Sequence, residues 1–235
     1  MKKALLTLFA LAFSVVSYAQ LIANKTDNKV TLGFDLFSDF QLAKANNSKW
    51  DARGFNQGVS LALTYNFPMG ESSKHTVAVG LGMSSHNYYC YNRLINPYTN
   101  DTMLFSESYR GNDKFKRAKI NPTYIEVPLE LRFRIKDQLK IGVGFKFGLM
   151  VAAKSKYVGP DYTDDETLSD GSGITIHEKD LYINNLERYA YSATLRVGWR
   201  WVSVFAAYQI SPVFAVGHEA PEIHPLSVGF SFAPF

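Results

Sequence analysis

Four of the five histidines could carry acid–base chemistry, because they lie on or near the long connections. They are His86, His177, His218 and His224, and the polar residues that could act with them are Ser85, Asp161, Asp164, Asp165 and Glu219. A hydrolase acting on lipid or peptide would need a nucleophile or water, a histidine base and an orienting carboxylate. No G-x-S-x-G or H-E-x-x-H motif joins these residues. We therefore expect a protein that is not an enzyme, with a surface-loop enzyme as an alternative.

Metal chemistry has weak support in the same regions. The single cysteine, Cys90, excludes an internal disulfide and any zinc site of four cysteines or two cysteines and two histidines. An acidic segment, residues 161–166, could attract calcium, but its spacing does not match an EF-hand loop. His218 and His224 could form a metal site at the rim of the fold. We expect no metal and no cofactor.

Composition excludes several classes of protein. The 235 residues are 46% hydrophobic and 20% charged, which is enough apolar material for one or two folded domains and excludes disorder. No apolar run of about 18 to 20 residues follows the N-terminal segment, so a helical membrane domain is excluded. The net charge of +4 falls to +2 if Lys2 and Lys3 are removed with that segment. This charge does not require nucleic acid as a partner.

The first 19 residues have the pattern of an export signal. Lys2 and Lys3 precede an apolar stretch from Ala4 to Val16, and Ser17-Tyr18-Ala19 gives a small-x-small cleavage site. We expect residues 1–19 to be a cleaved signal peptide and residues 20–235 to form one domain. The protein would then enter the periplasm of a bacterium with two membranes.

Period-two alternation is the main pattern in the rest of the chain. Between Ile125 and Lys136 every odd position is apolar, whereas the even positions carry charges and one proline. This spacing places successive side chains on opposite faces of a strand. Eight segments show it: 29–38, 54–67, 74–91, 118–136, 138–156, 187–199, 201–214 and 224–235. Pro128 cannot donate a ladder hydrogen bond, so we expect a β-bulge there.

The connections between these segments alternate between short and long. Residues 68–73, 136–138 and the Arg200 corner are short, whereas residues 39–53, 92–117 and 157–186 are long. Outer-membrane barrels have short periplasmic turns and long extracellular loops. We therefore predict an all-β fold, an eight-stranded antiparallel transmembrane β-barrel in the outer membrane, with outer-membrane lipid as its first partner.

Side-chain volume decides which face of the sheet points outward. The apolar face holds too many large side chains for the interior of eight strands, which side chains only just fill. The other face is rich in small residues such as Gly142, Gly144 and Ser203. Aromatic residues cluster toward both strand ends, as in the girdles of membrane barrels, with Tyr88, Tyr124, Tyr157 and Phe214 toward the long loops. The apolar face should therefore contact lipid.

The sequence resembles the PorT-like outer-membrane β-barrel family, also described as porin-family barrels. The resemblance rests on three segments: Thr123-Tyr124-Ile125-Glu126-Val127-Pro128-Leu129, Ile141-Gly142-Val143-Gly144-Phe145, and residues 224–232. It implies an outer-membrane barrel and a role in assembling the type IX protein secretion machinery. Phe235 is a terminal aromatic of the kind recognised by the barrel-assembly machinery, but Pro234 and its parity suggest that the last two residues leave the sheet.

The inward face should carry a network of charges. Parity places there Asp35, Glu126, Glu130, Arg132, Arg134, Lys140, Lys146, Arg188 and Arg196. Charges in so narrow a space must be paired or hydrated. We expect a plugged polar lumen, and because basic residues outnumber acids, a narrow anion-selective pore is the alternative.

One long connection is rich in tyrosine, a residue suited to protein contacts. The candidate partner-binding loop comprises Tyr88, Tyr89, Tyr91, Arg93 and Tyr98. A structural or interaction role through such extracellular loops is therefore the expected function. The partner itself does not follow from the sequence.

Overall fold

The computed structural model describes residues 29–43, 50–70, 75–98, 102–135, 139–160, 175–217 and 220–233. These residues form ten strands: β1 (Val30–Ala43), β2 (Gln57–Met69), β3 (His75–Ser85), β4 (Tyr88–Cys90), β5 (Arg117–Ile135), β6 (Leu139–Pro160), β7 (Thr175–Asp180), β8 (Tyr189–Trp199), β9 (Val202–Gln209) and β10 (Ile223–Phe232). Within the described part of the chain, no helix is long and apolar enough to cross a membrane. The predicted signal peptide lies outside the described residues, as do Phe235 and residues 161–170.

Eight of the strands close into a ring. The order is β5-β3-β2-β1-β10-β9-β8-β6, and pairing of β5 with β6 closes it. Every pairing is antiparallel. The predicted eight-stranded barrel is therefore confirmed. The two extra strands lie at the end with the long connections, where β4 pairs with β5 and β7 pairs with β6.

The apolar face of the ring points outward, as predicted. Leu131 and Phe145, which would face the centre of a soluble barrel, have exposed fractions of 42% and 40%. Glu126 and Glu130, on the opposite face of β5, are buried. Outward aromatic residues also occur near the short-turn end, among them Tyr65, Phe67, Trp199, Trp201 and Phe230. Lipid is the environment in which such an outer surface is stable.

The predicted bulge at Pro128 is wrong. Val79 pairs with Leu129 and Gly82 pairs with Glu126, so pairing with β3 is interrupted at Pro128 but the register does not change. The register shift lies instead in the β5–β6 pairing between Thr123 and Tyr124. Pro128 has no N–H to donate to β3, and the ladder simply lacks its pairs at this point. The loss of one donor does not require an extra residue, so no bulge forms.

The register shift leaves Val151 as an extra, unpaired residue on β6, a bulge that reverses the inward parity of this strand. Lys140 and the even positions that follow face the interior below it, whereas Ala153, Ser155 and Tyr157 are buried above it. Beyond this point β5 and β6 continue well past the ~9 to 11 residues that a strand needs to cross a bilayer. Their upper parts, with β4, β7 and the long connections, form a folded region that we call the head.

The head has an apolar core of its own. Its main cluster comprises Tyr88, Leu94, Met103, Phe105, Ile120, Ala153, Ile183, Leu186, Val213, Phe214 and Ile223. A second cluster contains Cys90, Ala118 and Tyr157, and Trp50 packs against both. Tyr88, Tyr124, Tyr157 and Phe214 are thus buried, so their predicted place in an outward girdle is wrong.

Candidate functional site

The interior of the ring is organised around Arg196 on β8. Its Nη1 lies 3.3 Å from Oδ1 of Asp35, and its Nε lies 3.6 Å from Oε1 of Glu130. Arg132 shares Glu130 at 3.5 Å and donates a 2.8 Å hydrogen bond to Oδ1 of Asn66. Two arginines are therefore compensated by two carboxylates and an amide at the same level of the barrel, as burial of charge requires.

Gly142 makes room for this cluster. A Cβ atom on Gly142 would lie 2.0 Å from Oε1 of Glu130. The Glu130 carboxylate therefore occupies the space beside Gly142, and a larger residue there would have to displace it.

A second ion pair lies nearer the head. Lys146 Nζ is 3.2 Å from Oε2 of Glu126, whose Oε1 accepts a 2.8 Å hydrogen bond from the Ser84 hydroxyl. Lys140, near the short turns, instead donates to the carbonyl oxygen of Arg200 at 2.7 Å.

Two of the predicted lumen residues lie apart from these pairs. Arg134 is half-buried on the inward face of β5, two residues beyond Arg132. Arg188 precedes β8 and is exposed, so it lies outside the network. The prediction that Arg188 faces the lumen assumed that the alternation of β8 begins before Arg188, whereas the strand begins at Tyr189.

Aromatic side chains cross the lumen at mid-height. Phe37 and Phe205 are both buried and pack edge to face with ring centroids 6.0 Å apart. The Arg196 guanidinium lies 5.4 Å from the Phe205 ring centroid. A Cβ atom on Gly58 would lie 2.0 Å from the Phe37 ring, so a larger residue there would have to displace the ring. Sequence reasoning missed both rings, although each shares strand parity with inward polar neighbours.

Above these rings, a chain of hydrogen bonds aligns serine, histidine and aspartate. Asp39 Oδ2 lies 2.9 Å from Nδ1 of His86, whose Nε2 lies 3.2 Å from Ser84 Oγ. Ser227 donates to the other Asp39 oxygen at 2.6 Å. Ser84 donates its only proton to Glu126.

The hydrogen bonds of Ser84 differ from those of an activated serine nucleophile. A catalytic histidine must accept the serine proton, and Ser84 and Asp39 are fully buried beneath the head core. His86 is buried, and the serine that it contacts is Ser84, not Ser85, the possible partner expected from the sequence. Ser85 has the opposite parity, faces outward and accepts a 3.0 Å hydrogen bond from Asn121.

The other histidines do not assemble a site among the described residues. His224 is buried at the start of β10, with Nε2 3.2 Å from Oε1 of Glu222. His177 lies exposed on β7, and His218 is outside the described residues. Across the described ranges, no three His, Cys, Asp or Glu side chains converge as metal ligands.

The tyrosine-rich loop is largely used for contacts within the head. Tyr88 is buried and packs against His86, with ring centroids 5.8 Å apart. Arg110 lies 4.4 Å from the Tyr91 ring centroid. Arg93 forms a 3.0 Å ion pair with Glu178 on β7. These residues join the loop to its neighbours.

Tyr89 and Tyr98 remain accessible. Tyr89 lies on the outward face of β4 and is half-buried. Tyr98 is 60% exposed, and its hydroxyl donates to Asp180 at 2.9 Å. This hydrogen bond raises the pKa of the Tyr98 phenol, because it stabilises the protonated form beside a carboxylate. Of the predicted loop residues, Tyr98 is the exposed one, whereas Tyr89, Tyr91 and Arg93 are half-buried and Tyr88 is buried.

The chain has low similarity to several solved structures. No curated protein matches the chain significantly. The attachment invasion locus protein Ail of Yersinia pestis is 13% identical, with a TM-score of 0.37 over 87% of this chain and 97% of that one. Ail in a phospholipid bilayer nanodisc is 14% identical, with a TM-score of 0.33 over 86% and 98%.

A third solved structure and a family profile complete these comparisons. The translocator domain of the autotransporter NalP from Neisseria meningitidis is 10% identical, with a TM-score of 0.24 over 98% of this chain and 97% of that one. The profile of the outer membrane protein beta-barrel domain matches residues 18–215. With most of its length covered by this profile and its strands closed in a ring, the chain belongs to the outer membrane protein beta-barrel domain family.

Proposed function

We propose that this integral outer-membrane barrel does not conduct and is not an enzyme, and that it serves as a rigid support for its head, which acts in interaction. The observation that carries the proposal is the succession of obstructions across the lumen. The Arg196 cluster comes first, then the Phe37–Phe205 pair, then the Asp39–His86 chain. The apolar core of the head lies above them.

The interior contacts favour a plug over an anion path. A permeating anion needs cations that are free to exchange partners, whereas Arg196 is held by Asp35 and Glu130, and Lys146 by Glu126. An interior of eight strands is only just filled by side chains. The phenyl rings of Phe37 and Phe205 add no group that would solvate an anion.

Planar-bilayer recording tests the closed lumen. We expect the purified chain to give no steady conductance, and Arg132→Ala plus Arg134→Ala to leave this unchanged. Lys114→Ala plus Lys116→Ala is the matched control, because it removes two exposed head charges. Steady anion-selective current that disappears in the first variant and persists in the control would replace the plug with the narrow pore.

The exposed surface of the head supports an interaction role. Tyr98, Leu181 and Tyr182 have exposed fractions of 60%, 60% and 72%. Asn184 donates to the Tyr98 carbonyl oxygen at 2.8 Å, which holds the two segments together. Large exposed apolar and aromatic side chains held on adjacent, hydrogen-bonded segments are typical of protein contact surfaces.

We propose type IX secretion machinery as the partner class, on the sequence resemblance to PorT-like barrels. Cross-linking and mass spectrometry of native outer membranes, read for neighbours of Lys114, Lys116 and Lys179, tests it. Recovery of secretion components through these lysines would support the role. Recovery of the barrel-insertion machinery alone would count against it.

A further inference from the structure

Three lysines stand side by side on the outer wall of the head. Lys119 of β5 pairs in register with Lys156 of β6, which pairs in register with Lys179 of β7. We call these three residues the lysine row. Like charges directly opposite one another on neighbouring strands are destabilising, so an anionic partner would relieve repulsion within the row.

No acidic side chain on the described outer wall of the head neutralises the row. Glu178 and Asp180 are the acidic residues of β7, and both lie on the opposite face, where Glu178 binds Arg93 at 3.0 Å. Among the described outward residues of β4, of β7 and of the head portions of β5 and β6, none is a carboxylate. Lys119 donates to the neutral Oδ1 of Asn87 at 2.5 Å. The row therefore presents uncompensated positive charge to the outside.

Further cations and an aromatic ring border the row. Lys154 lies one outward position nearer the membrane and Arg117 one outward position farther from it. At the β4 end, Tyr89 pairs in register with Lys119, and the ring centroid lies 5.6 Å from Lys119 Nζ. Cations thus form the middle of this surface, and an aromatic side chain closes one end.

The other end of the row meets exposed apolar side chains. Leu181 and Tyr182 directly follow β7 and have exposed fractions of 60% and 72%. Nucleic acid is bound along cationic grooves that follow its backbone, whereas this row is short and ends on apolar groups. A polypeptide segment offers acidic and apolar side chains together. The composition of the surface therefore favours a polypeptide over a uniformly charged polymer.

The height of the row places it in reach of a soluble partner. Ile125 is the last outward apolar residue of β5, and Lys119 is six residues farther along. At ~3.4 Å per residue and a tilt of ~40°, Lys119 lies about 15 Å above that level. The headgroup zone of a leaflet is only ~5 to 8 Å thick. The row therefore stands above the headgroups and is open to water.

The spacing of the row resembles the pitch of an α-helix. Side chains paired in register on neighbouring strands have Cβ atoms about 4.5–5.5 Å apart. On one face of a helix, residues three or four positions apart have Cβ atoms about 5–6 Å apart. Side chains on one face of an extended strand recur only every ~6.6 Å. A helix lying across the strands thus presents one side chain to each lysine, and the flexible lysine stems accommodate the remaining difference.

We propose that the lysine row binds an acidic amphipathic helix of a partner protein. The helix lies across β5, β6 and β7 with one carboxylate per turn facing each lysine, and its apolar side chains beyond the last acid contact Leu181 and Tyr182. Each charge contact is a solvent-exposed ion pair, so a single lysine contributes little and the row acts as a set. This inference rests on the proposed interaction role of the head, to which it adds the binding surface and the chemistry of the partner segment.

The test measures binding of a defined helix to the full chain in phosphatidylcholine nanodiscs at ~0.15 M salt. The probe is a fluorescent helical peptide of about 18 residues with glutamates at positions i, i+4 and i+7 and leucines toward one end. Fluorescence anisotropy gives the dissociation constant. We expect it to rise about tenfold in Lys119→Gln plus Lys156→Gln plus Lys179→Gln, at roughly twofold per lysine.

Two further variants separate the row from net charge. Lys29→Gln plus Lys114→Gln plus Lys116→Gln removes the same charge from exposed positions elsewhere and should leave the dissociation constant unchanged. Leu181→Ala should weaken binding of the leucine-containing peptide about fivefold and should not affect a peptide with serine in place of those leucines. Circular dichroism and retention of the folded form in detergent check each barrel.

Four outcomes would overturn the proposal. The row variant could bind the helix as tightly as the unchanged chain, or the matched control could lose it equally. A peptide of the same charge whose helix is broken by proline could bind as tightly, which would make the partner an extended segment. Finally, a sulfated oligosaccharide or single-stranded DNA of equal charge could bind the row more tightly than the helix, which would make a polyanion the occupant.

Failure of this inference can be distinguished from failure of the interaction role. If the row variant in native membranes still gave the neighbours cross-linked through Lys114 and Lys116, the head would act in interaction and the lysine row would be excluded as its surface. If the unchanged chain gave no neighbour through any head lysine, the interaction role itself would fail.

Discussion

The apolar side chains of β5 face outward in its membrane part and inward in its head part. From Ile125 to Ile135 the outward side chains are apolar and the inward ones, such as Glu126 and Arg132, are polar. From Arg117 to Thr123 the inward side chains Ala118 and Ile120 are apolar and buried, and the outward ones are cationic or polar. One continuous strand therefore reverses its polarity between Thr123 and Ile125.

The reversal shows that the surroundings, and not the strand, set the pattern. Where lipid surrounds the ring, apolar groups are stable outside, and the small interior must hold the polar ones. Where water surrounds the head, burial of apolar surface drives the same chain to fold with its apolar side inward. The bulge in β6 lies at the same level and lets this neighbouring strand change the parity of its inward residues there.

Removing an apolar side chain from the head core gives the largest expected effect. Phe214 is buried and meets Trp50 and Phe105 edge to face, with ring centroids 5.5 and 6.0 Å apart. Phe214→Ala should destabilise the head by about 3–5 kcal/mol and leave the ring assembled. The rate of thiol labelling at Cys90, which is buried in the head, measures this opening.

Tyr182→Ala is the control for this comparison. Tyr182 is 72% exposed, so its removal should change the free energy of head opening by no more than about 0.5 kcal/mol. If, in Phe214→Ala, the ring unfolded at the same denaturant concentration as the head, the two parts would form one cooperative unit.

The stability cost of a charge on the outward face of β5 should depend on whether the charge lies in the membrane part or in the head. Leu129→Arg puts a guanidinium in the middle of the apolar band and should cost about 2–4 kcal/mol. Thr123→Arg, on the same face of β5 but above the reversal, should cost about 0–1 kcal/mol. Urea titration of tryptophan fluorescence in lipid vesicles measures both. Equal costs would mean that the lipid boundary does not lie between these positions.

The sequence predicts the membrane part well because its alternation is long and unbroken. The run from Ile125 to Ile135 specifies a strand, its two faces and, with the volume argument, which face meets lipid. The acids and bases that pair in the interior follow from the same parity. Which cation meets which carboxylate does not follow, because Arg196 reaches Asp35 and Glu130 across the barrel.

The head could not be predicted in the same way. A bulge of a single residue has no sequence motif, yet it changes the side on which every later residue of β6 lies, Tyr157 included. Strand β7 falls within a connection that period-two analysis treats as irregular. Aromatic residues such as Tyr124 are equally compatible with a membrane girdle and with a buried core until the position of the boundary is known. His86 is misplaced for the same reason.

The pH dependence of head stability gives the smallest expected effect and tests how dry the head core is. Desolvation by burial raises the pKa of the Cys90 thiol from 9.0 to about 12. Between these values the unfolded head releases a proton that the folded head retains, so stability is fully present below pH 9 and falls as the pH rises. From pH 9 to pH 10 the loss should be about 1 kcal/mol.

Hydrogen exchange of head amides, corrected for its intrinsic pH dependence, measures the free energy of head opening at each pH. Cys90→Ala should remove the part of its fall with pH that comes from the thiol. The same slope in Cys90→Ala would mean that water reaches the thiol and that the head core is not dry.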